Sequence, residues 1–402
     1  MSELTTPRAS PIRLGGGGYG RAVTGRKVLE RDSPIRRIDW VLQAAVFGLC
    51  VIGCLLVWSA TKQRMLDKHL DPQAFLKKDV LNVLIGLCLG VAATLIDYRS
   101  LRAYAPIVYG ASIFGLIAVL SPLGSTINGA HSWIVLPAGF QIQPSEFAKV
   151  ALVVGMAMIL GEKKEGQVGP GDRDVLLLLA LAAVPMGLIM LQPDFGTMMV
   201  FVFTILGVLV VSGAPKRWTL GLIIVGTLFA AAILHFHLLK PYQESRLTDF
   251  TKSTSHLSGS GYNTNQARIA IGSGGFGGAG LFHGTQTTGQ FVPEQQTDFI
   301  FTVAGEELGF VGAGMILLLL GVVLWRILRI AAHAGNVFGT LMAAGVVSWF
   351  TFQAFINVGM TMGIMPVTGL PLPFVSYGGS AMFANLIAVG LVQNVHLRSR
   401  RT

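Results

Sequence analysis

Predominantly apolar stretches, each long enough at about 17 to 25 residues to cross roughly 30 Å of hydrocarbon as a helix, recur along nearly the whole chain. Ten can be counted, at 40–59, 80–96, 103–120, 146–160, 175–191, 197–212, 218–239, 299–328, 337–358 and 381–395. The fourth is short with an ill-marked start, and the eighth is long enough to tilt. The pattern predicts an all-α polytopic membrane protein of about ten transmembrane helices. Composition agrees, because a chain of 402 residues that is 52% hydrophobic and 12% charged lacks the polar surface of a soluble globule.

Short polar flanks set the orientation, since Lys and Arg are retained on the cytoplasmic side. The segment before the first span carries Arg8, Arg13, Arg21, Arg26, Lys27, Arg31, Arg36 and Arg37. Ten spans then bring Arg102, Lys163, Lys216, Arg217, Arg326, Arg329 and Arg398 to the same face, while 121–145 holds neither Lys nor Arg. Both termini are therefore expected in the cytoplasm, with one long extracytoplasmic loop, 240–297, between helices 7 and 8. Lys62, Arg64, Lys68, Lys77 and Lys78 run against this rule, in the first outer loop. The organisation reads as a basic disordered tail at 1–38, a transmembrane domain at 39–397 and a basic end at 398–402. The net charge of +10 follows from the flanks and calls for no nucleic acid; the tail suits an anionic inner leaflet. It has no apolar core before Trp40 and so is no cleavable signal peptide.

Motif-like polar material falls on the expected outer face, where neither ATP nor NAD is available, so chemistry there needs a substrate that arrives activated. GSGGFG at 272–277 matches a dinucleotide fingerprint literally, but no strand, helix and βαβ unit frame it. Its glycines suit tight turning or close backbone approach. Cys50, Cys54 and Cys88 lie inside spans and read as packing residues, and no His, Cys or carboxylate cluster has convincing metal-ligand spacing.

Asp298 is the residue on which a function is most readily hung, a lone carboxylate where a glycine-rich polar loop enters an apolar helix. Glu146 and Lys149, at i and i+3, share a helix face and read equally as an interface ion pair or as substrate-binding groups. Asp194 follows Pro193 between two spans and suits a helix cap at Thr197 that also faces a cavity. Arg246 and Arg268, in the long loop, have the geometry to hold a phosphate. Glu306 and Glu307 sit two turns below Asp298, and helix packing is their expected role.

Several runs carry a resemblance. They are GYNTNQARIAIGSGG at 261–275, GLFHGTQ at 280–286, VPEQQTDFIF at 292–301, GEELG at 305–309, NVGM at 357–360, GIMP at 363–366 and GLPLPFVSYGGS at 369–380, with QPSEFAK at 143–149 and QPDFGT at 192–197. Together they resemble the SEDS family of peptidoglycan glycosyltransferases, in order over about 38–397. Within it the RodA elongation branch looks nearer, through GTQ at 284–286 and PVTG at 366–369, with the FtsW division branch close behind and suggested by the long basic tail.

The resemblance implies polymerisation of lipid II at the outer leaflet of the bacterial cytoplasmic membrane, with Asp298 as the general base that activates the acceptor hydroxyl. It implies that Glu146, Lys149, Asp194, Arg246, Arg268, Gln266 and Ser376 bind substrate. Departing diphosphate would be stabilised by Lys149, Arg246 and Arg268 or by a divalent cation, Mg or Mn, no cofactor being certain. A class B penicillin-binding protein that crosslinks the strands, within an elongation or division complex, is the implied partner. One departure is Gln296, where the family commonly shows His. Two other readings stay open, a flippase for the lipid-linked precursor and a noncatalytic scaffold.

Overall fold

Helix caps are written into the sequence at several span ends. Asp39 accepts a hydrogen bond from the Leu42 amide (3.0 Å) at the start of α1 (Trp40–Asp67). After a short link come α2 (Ala74–Leu95) and α3 (Tyr98–Leu120). The loop that follows is not bare coil. It folds into an antiparallel three-stranded sheet in the order β1 (Gly124–Ile127), β2 (Ala130–Val135), β3 (Gln141–Ile142), an addition to the all-helical expectation. Helices α4 (Pro144–Leu160), α5 (Asp172–Leu191), α6 (Phe195–Ser212) and α7 (Lys216–His235) complete the first part. The second comprises α8 (Ser260–Ser273), the single turn α9 (Thr285–Thr288), α10 (Ile300–Glu307), α11 (Gly309–Ala332), α12 (Val337–Thr361) and α13 (Gly379–Ser399). This computed structural model describes residues 37–96, 98–127, 130–136, 140–162, 169–236 and 260–399. Residues 39–402 form one compact unit. Arg246 and positions 1–36 of the tail expected at 1–38 lie outside the described residues.

Among the described residues eight helices are long and apolar enough to cross a membrane; α4, at 17 residues, and α7 are not among them. The chain is a polytopic membrane protein, and the expected ten spans become eight by that measure. α13 lies at the heart of the bundle, with 78% of its apolar window enclosed by protein against 22% for α11. It packs along α2 so closely that a Cβ at Gly390 would lie 2.2 Å from the Gly90 carbonyl oxygen. Small residues are what permit such an approach in lipid.

The expected single eighth span, 299–328, is broken. α10 stops at Glu307, and Gly309, in the left-handed region (φ 65°), starts α11 in a new direction. Two tertiary partners stabilise the break. The glycine-rich run donates Ala279 N to Glu306 O (2.9 Å) and Gly280 N to Glu307 O (3.0 Å), and receives Phe310 N at Gly275 O (3.0 Å), so carbonyls and amides orphaned by the break are paired. The Glu306 carboxylate, 1% exposed, accepts from Gln286 N (2.7 Å), Thr287 N (2.8 Å) and Thr287 Oγ1 (2.7 Å). It thereby occupies the N-terminal end of α9, and Glu307 accepts from Ser59 Oγ (2.6 Å). The packing role expected of both carboxylates is the one these contacts describe. GSGGFG is a backbone brace for the broken helix.

Contacts sort the helix ends into two faces. At one, Arg326 pairs with Asp39 through Nε (2.9 Å) and Nη2 (2.6 Å), Gln43 meets Gln393, and Asn394 donates to the carbonyls of Ala93 and Thr94. Residues expected to be cytoplasmic gather there. The other face carries Arg64, the small sheet and Asp298.

Candidate active site

Asp298 ends a tight turn that begins at Glu294. The Glu294 carbonyl accepts from Thr297 N (3.2 Å) and Asp298 N (3.1 Å), and Glu294 itself sits at φ 51°, a region non-glycine residues seldom occupy. Two other elements lock the turn from outside. Asn357, on α12, donates Nδ2 to the Asp298 carbonyl (2.9 Å) and to the Leu370 carbonyl (2.7 Å). Tyr377 donates its amide to Gln296 O (2.9 Å). The half-buried Asp298 is thus carried on a backbone that α12 and the 369–378 loop both fix.

This turn lies on the wall of a cavity of about 1410 Å³. Its polar lining includes Glu294, Gln296, Thr297, Asp298, Asp194 and Gln143, together with Arg64 and Lys78. The rest is apolar, with Met198, Val202, Phe203 and Leu206 from α6 and Leu222 and Ile223 from α7. Sheet residues Ser132, Trp133 and Gln141 close another side. Buried Asn82 Oδ1 and Ser132 Oγ, both on the lining, have no protein hydrogen-bond partner, a demand a polar ligand would meet. Burial, and after it the nearby Asp79, pushes the Tyr377 phenol up to about 12, so it stays a neutral hydroxyl at the rim. A space lined both by polar groups and by an apolar wall suits an amphiphile.

The residues singled out from sequence fall into three groups. Asp298 and Asp194 line the cavity, and Asp194 also caps α6, its Oδ1 accepting from Thr197 N (3.0 Å) and its Oδ2 from both Thr197 Oγ1 (2.8 Å) and Gln143 Nε2 (3.0 Å). Glu146 and Lys149 sit behind the wall, 2% exposed each. Lys149 Nζ reaches Glu146 Oε1 at 2.7 Å and Gln353 Oε1 at 3.2 Å, and lies 4.8 Å from the Trp349 ring centre. Buried Ser376 Oγ accepts from Leu372 N (2.8 Å) inside its own loop. Arg268, exposed, and Gln266, half-buried, belong to α8 and are not on the lining.

Sequence reasoning missed Arg64 and Lys78, although a signal existed. They belong to the cations that run against the expected positive-inside rule, and the structure places them on α1 and α2 rather than in the loop expected between those spans. Glu294, Gln296 and Asn357 were missed as supports of Asp298. Among the described residues no group of three His, Cys, Asp or Glu could hold a metal ion by protein ligands alone.

A family model described as "Cell cycle protein", covering FtsW, RodA and SpoVE, matches residues 40–401. The chain belongs to the FtsW/RodA/SpoVE family. A probable peptidoglycan glycosyltransferase FtsW of Thioalkalivibrio sulfidiphilus is 39% identical over 373 residues, 90% of this chain and 90% of that protein. Peptidoglycan glycosyltransferase MrdB of Escherichia coli K12 is 34% identical over 372 residues, 91% of this chain and 97% of the relative. A solved chain, from a peptidoglycan synthase complex in which polymerization and crosslinking are coordinated, superposes with a TM-score of 0.76 at 31% identity. That match covers 91% of this chain and 99% of the solved one.

Proposed function

We propose that this protein is a peptidoglycan glycosyltransferase that polymerises lipid II into glycan strands at the outer face of the bacterial cytoplasmic membrane, serving elongation and cell shape. One observation carries the reading. Asp298 lines a cavity that also carries two cations, Arg64 and Lys78, other polar groups and an apolar wall, a combination that suits a lipid-linked sugar diphosphate.

In the reaction Asp298 removes the proton from the acceptor hydroxyl as its oxygen attacks the anomeric carbon of the donor. The bond from that carbon to the diphosphate breaks with inversion, and the lipid diphosphate leaves with the electron pair. Such a displacement needs one base on the acceptor side and positive charge on the leaving side, not a second carboxylate nucleophile. Arg64 and Lys78, rather than the buried Lys149, supply that charge directly in this scheme. Asp194 with Gln143 borders the same space. Arg268, Gln266 and Ser376, which are off the lining, keep a secondary part in substrate binding, and Arg246 keeps the phosphate-holding part the resemblance implies.

A crosslinking partner is supported by the similar solved chain, which comes from a complex that coordinates polymerization with crosslinking, and we assign that role to a class B penicillin-binding protein within an elongation or division complex. Exposed Phe310, Leu318 and Phe355 on α11 and α12 offer it an apolar helix surface. Relatives carrying the FtsW name are as similar as MrdB, and a division role with the same chemistry is the second reading.

The test is polymerisation of purified lipid II by the protein alone. Asp298→Ala is expected to lower the rate by at least about 10²-fold, the lower end of what general-base catalysis contributes, with unchanged melting. Near wild-type polymerisation by Asp298→Ala would remove the catalytic assignment. Glycan made only when a partner polymerase is present, and indifferent to Asp298, would make this protein a scaffold.

A further inference from the structure

Glu294 is a third carboxylate on the cavity lining, with Asp194 and Asp298, and lies one turn of chain before Asp298. Its left-handed backbone (φ 51°) is a conformation that costs free energy in a non-glycine residue and persists where the surroundings over-determine it. The surroundings do so twice. Its carbonyl gathers the amides of Thr297 and Asp298, and its Oε2 accepts the side-chain amide of Gln296 (3.1 Å). Gln296 is in turn 7% exposed and tied by its own carbonyl to the Tyr377 amide. An exposed loop glutamate would not be clamped in this way. One lone-pair face of the carboxylate is engaged by the amide, and the group still borders the cavity.

We propose that Glu294, oriented by Gln296, is a substrate-positioning residue of the transfer site, accepting a hydrogen bond from a polar group of the acceptor sugar and keeping negative charge beside Asp298. This rests on the glycosyl-transfer reading above. Two consequences follow. A carboxylate that accepts from a sugar hydroxyl or N-acetyl amide holds the acceptor for attack, since charge-assisted hydrogen bonds are the strong ones. A like charge nearby also raises the proton affinity of Asp298 and makes it a stronger base. Among the described residues the other charged or titratable groups on this lining are Arg64 from α1, Lys78 from α2, Asp194 ahead of α6 and Tyr377 ahead of α13. The two cations oppose the effect of Glu294 on Asp298, and Asp194 adds to it.

The experiment measures steady-state lipid II polymerisation by the full-length protein across pH for wild type, Glu294→Gln, Glu294→Asp, Gln296→Leu and Asp298→Ala, with melting in the same detergent. Glu294→Gln should lower kcat/KM by about 10- to 100-fold, the loss of one hydrogen bond to a charged group. Most of that should appear as a raised KM, and the acid limb of the pH profile should move to lower pH. Gln296→Leu should shift both quantities the same way by less, and Glu294→Asp should restore part of the loss. A folded Glu294→Gln with wild-type KM and an unmoved acid limb overturns the proposal. Should that variant fail to fold, a folded Gln296→Leu with wild-type KM and profile overturns it equally. Activity in Asp298→Ala is a different failure, that of the transfer reading itself.

Discussion

Asn357→Ala separates the scaffold of the site from its chemistry. The wild-type amide is fully buried and donates to two carbonyls, Asp298 O at 2.9 Å and Leu370 O at 2.7 Å, so it ties the turn that carries Asp298 to the loop after α12. Truncation removes both donors and leaves two carbonyls short of a partner, at about 1 to 3 kcal/mol for each group left unsatisfied. Partial rehydration from the cavity side recovers some of this, and a net loss of about 2 to 4 kcal/mol is expected. The effect on rate should be larger than the loss of fold. At a temperature where the variant is still folded, a displacement of Asp298 by about 1 Å would cost roughly 100-fold in turnover. The assay pairs melting of the purified protein in detergent with lipid II polymerisation well below the melting point. A variant that melts early but turns over at the wild-type rate when folded would refute the claim that Asn357 positions Asp298. One that keeps both melting and rate would refute the hydrogen bonds themselves.

Asp39→Ala should destabilise by about 3 to 5 kcal/mol, because it strips a half-buried Arg326 of a two-pronged partner and α1 of its cap, and melting should show this with little change in polymerisation per folded molecule. Glu306→Gln places a donor against the amides of Gln286 and Thr287 and should cost about 2 to 3 kcal/mol, read as lowered melting with chemistry largely kept. A folded Glu306→Gln without activity would contradict the packing role. A reporter fused after Arg401 should read cytoplasmic and one inserted near Ser258 external, and the reverse at Ser258 would put Asp298 on the wrong side for lipid II.

Sequence alone determined the membrane, most of the spans and, in Asp298, a residue that lines the cavity. Burying twenty apolar residues in hydrocarbon is a local decision, made within each stretch whatever its neighbours do. Asp298 was legible for a similar reason, since a carboxylate where polar loop meets apolar helix is costly in any fold. The i, i+3 pairing of Glu146 with Lys149 and the cap by Asp194 are equally local, and both are present. Tertiary structure decided the rest. Whether 299–328 is one helix or two depends on backbone partners at 275–280 and on α9, which no window of apolar residues contains. Arg64 and Lys78 stood in the sequence as an anomaly of charge, and only the packing of α1, α2 and the small sheet around one space makes them neighbours of Asp298 on a single lining. Arg268 and Lys149 carry the right chemistry for a phosphate, yet one is off the lining on α8 and the other is already satisfied by Glu146 and Gln353. A chain fixes which groups are present and which short-range bonds they favour. Which of them share a cavity is fixed by long-range packing, where contacts hundreds of residues apart compete and only the sum decides.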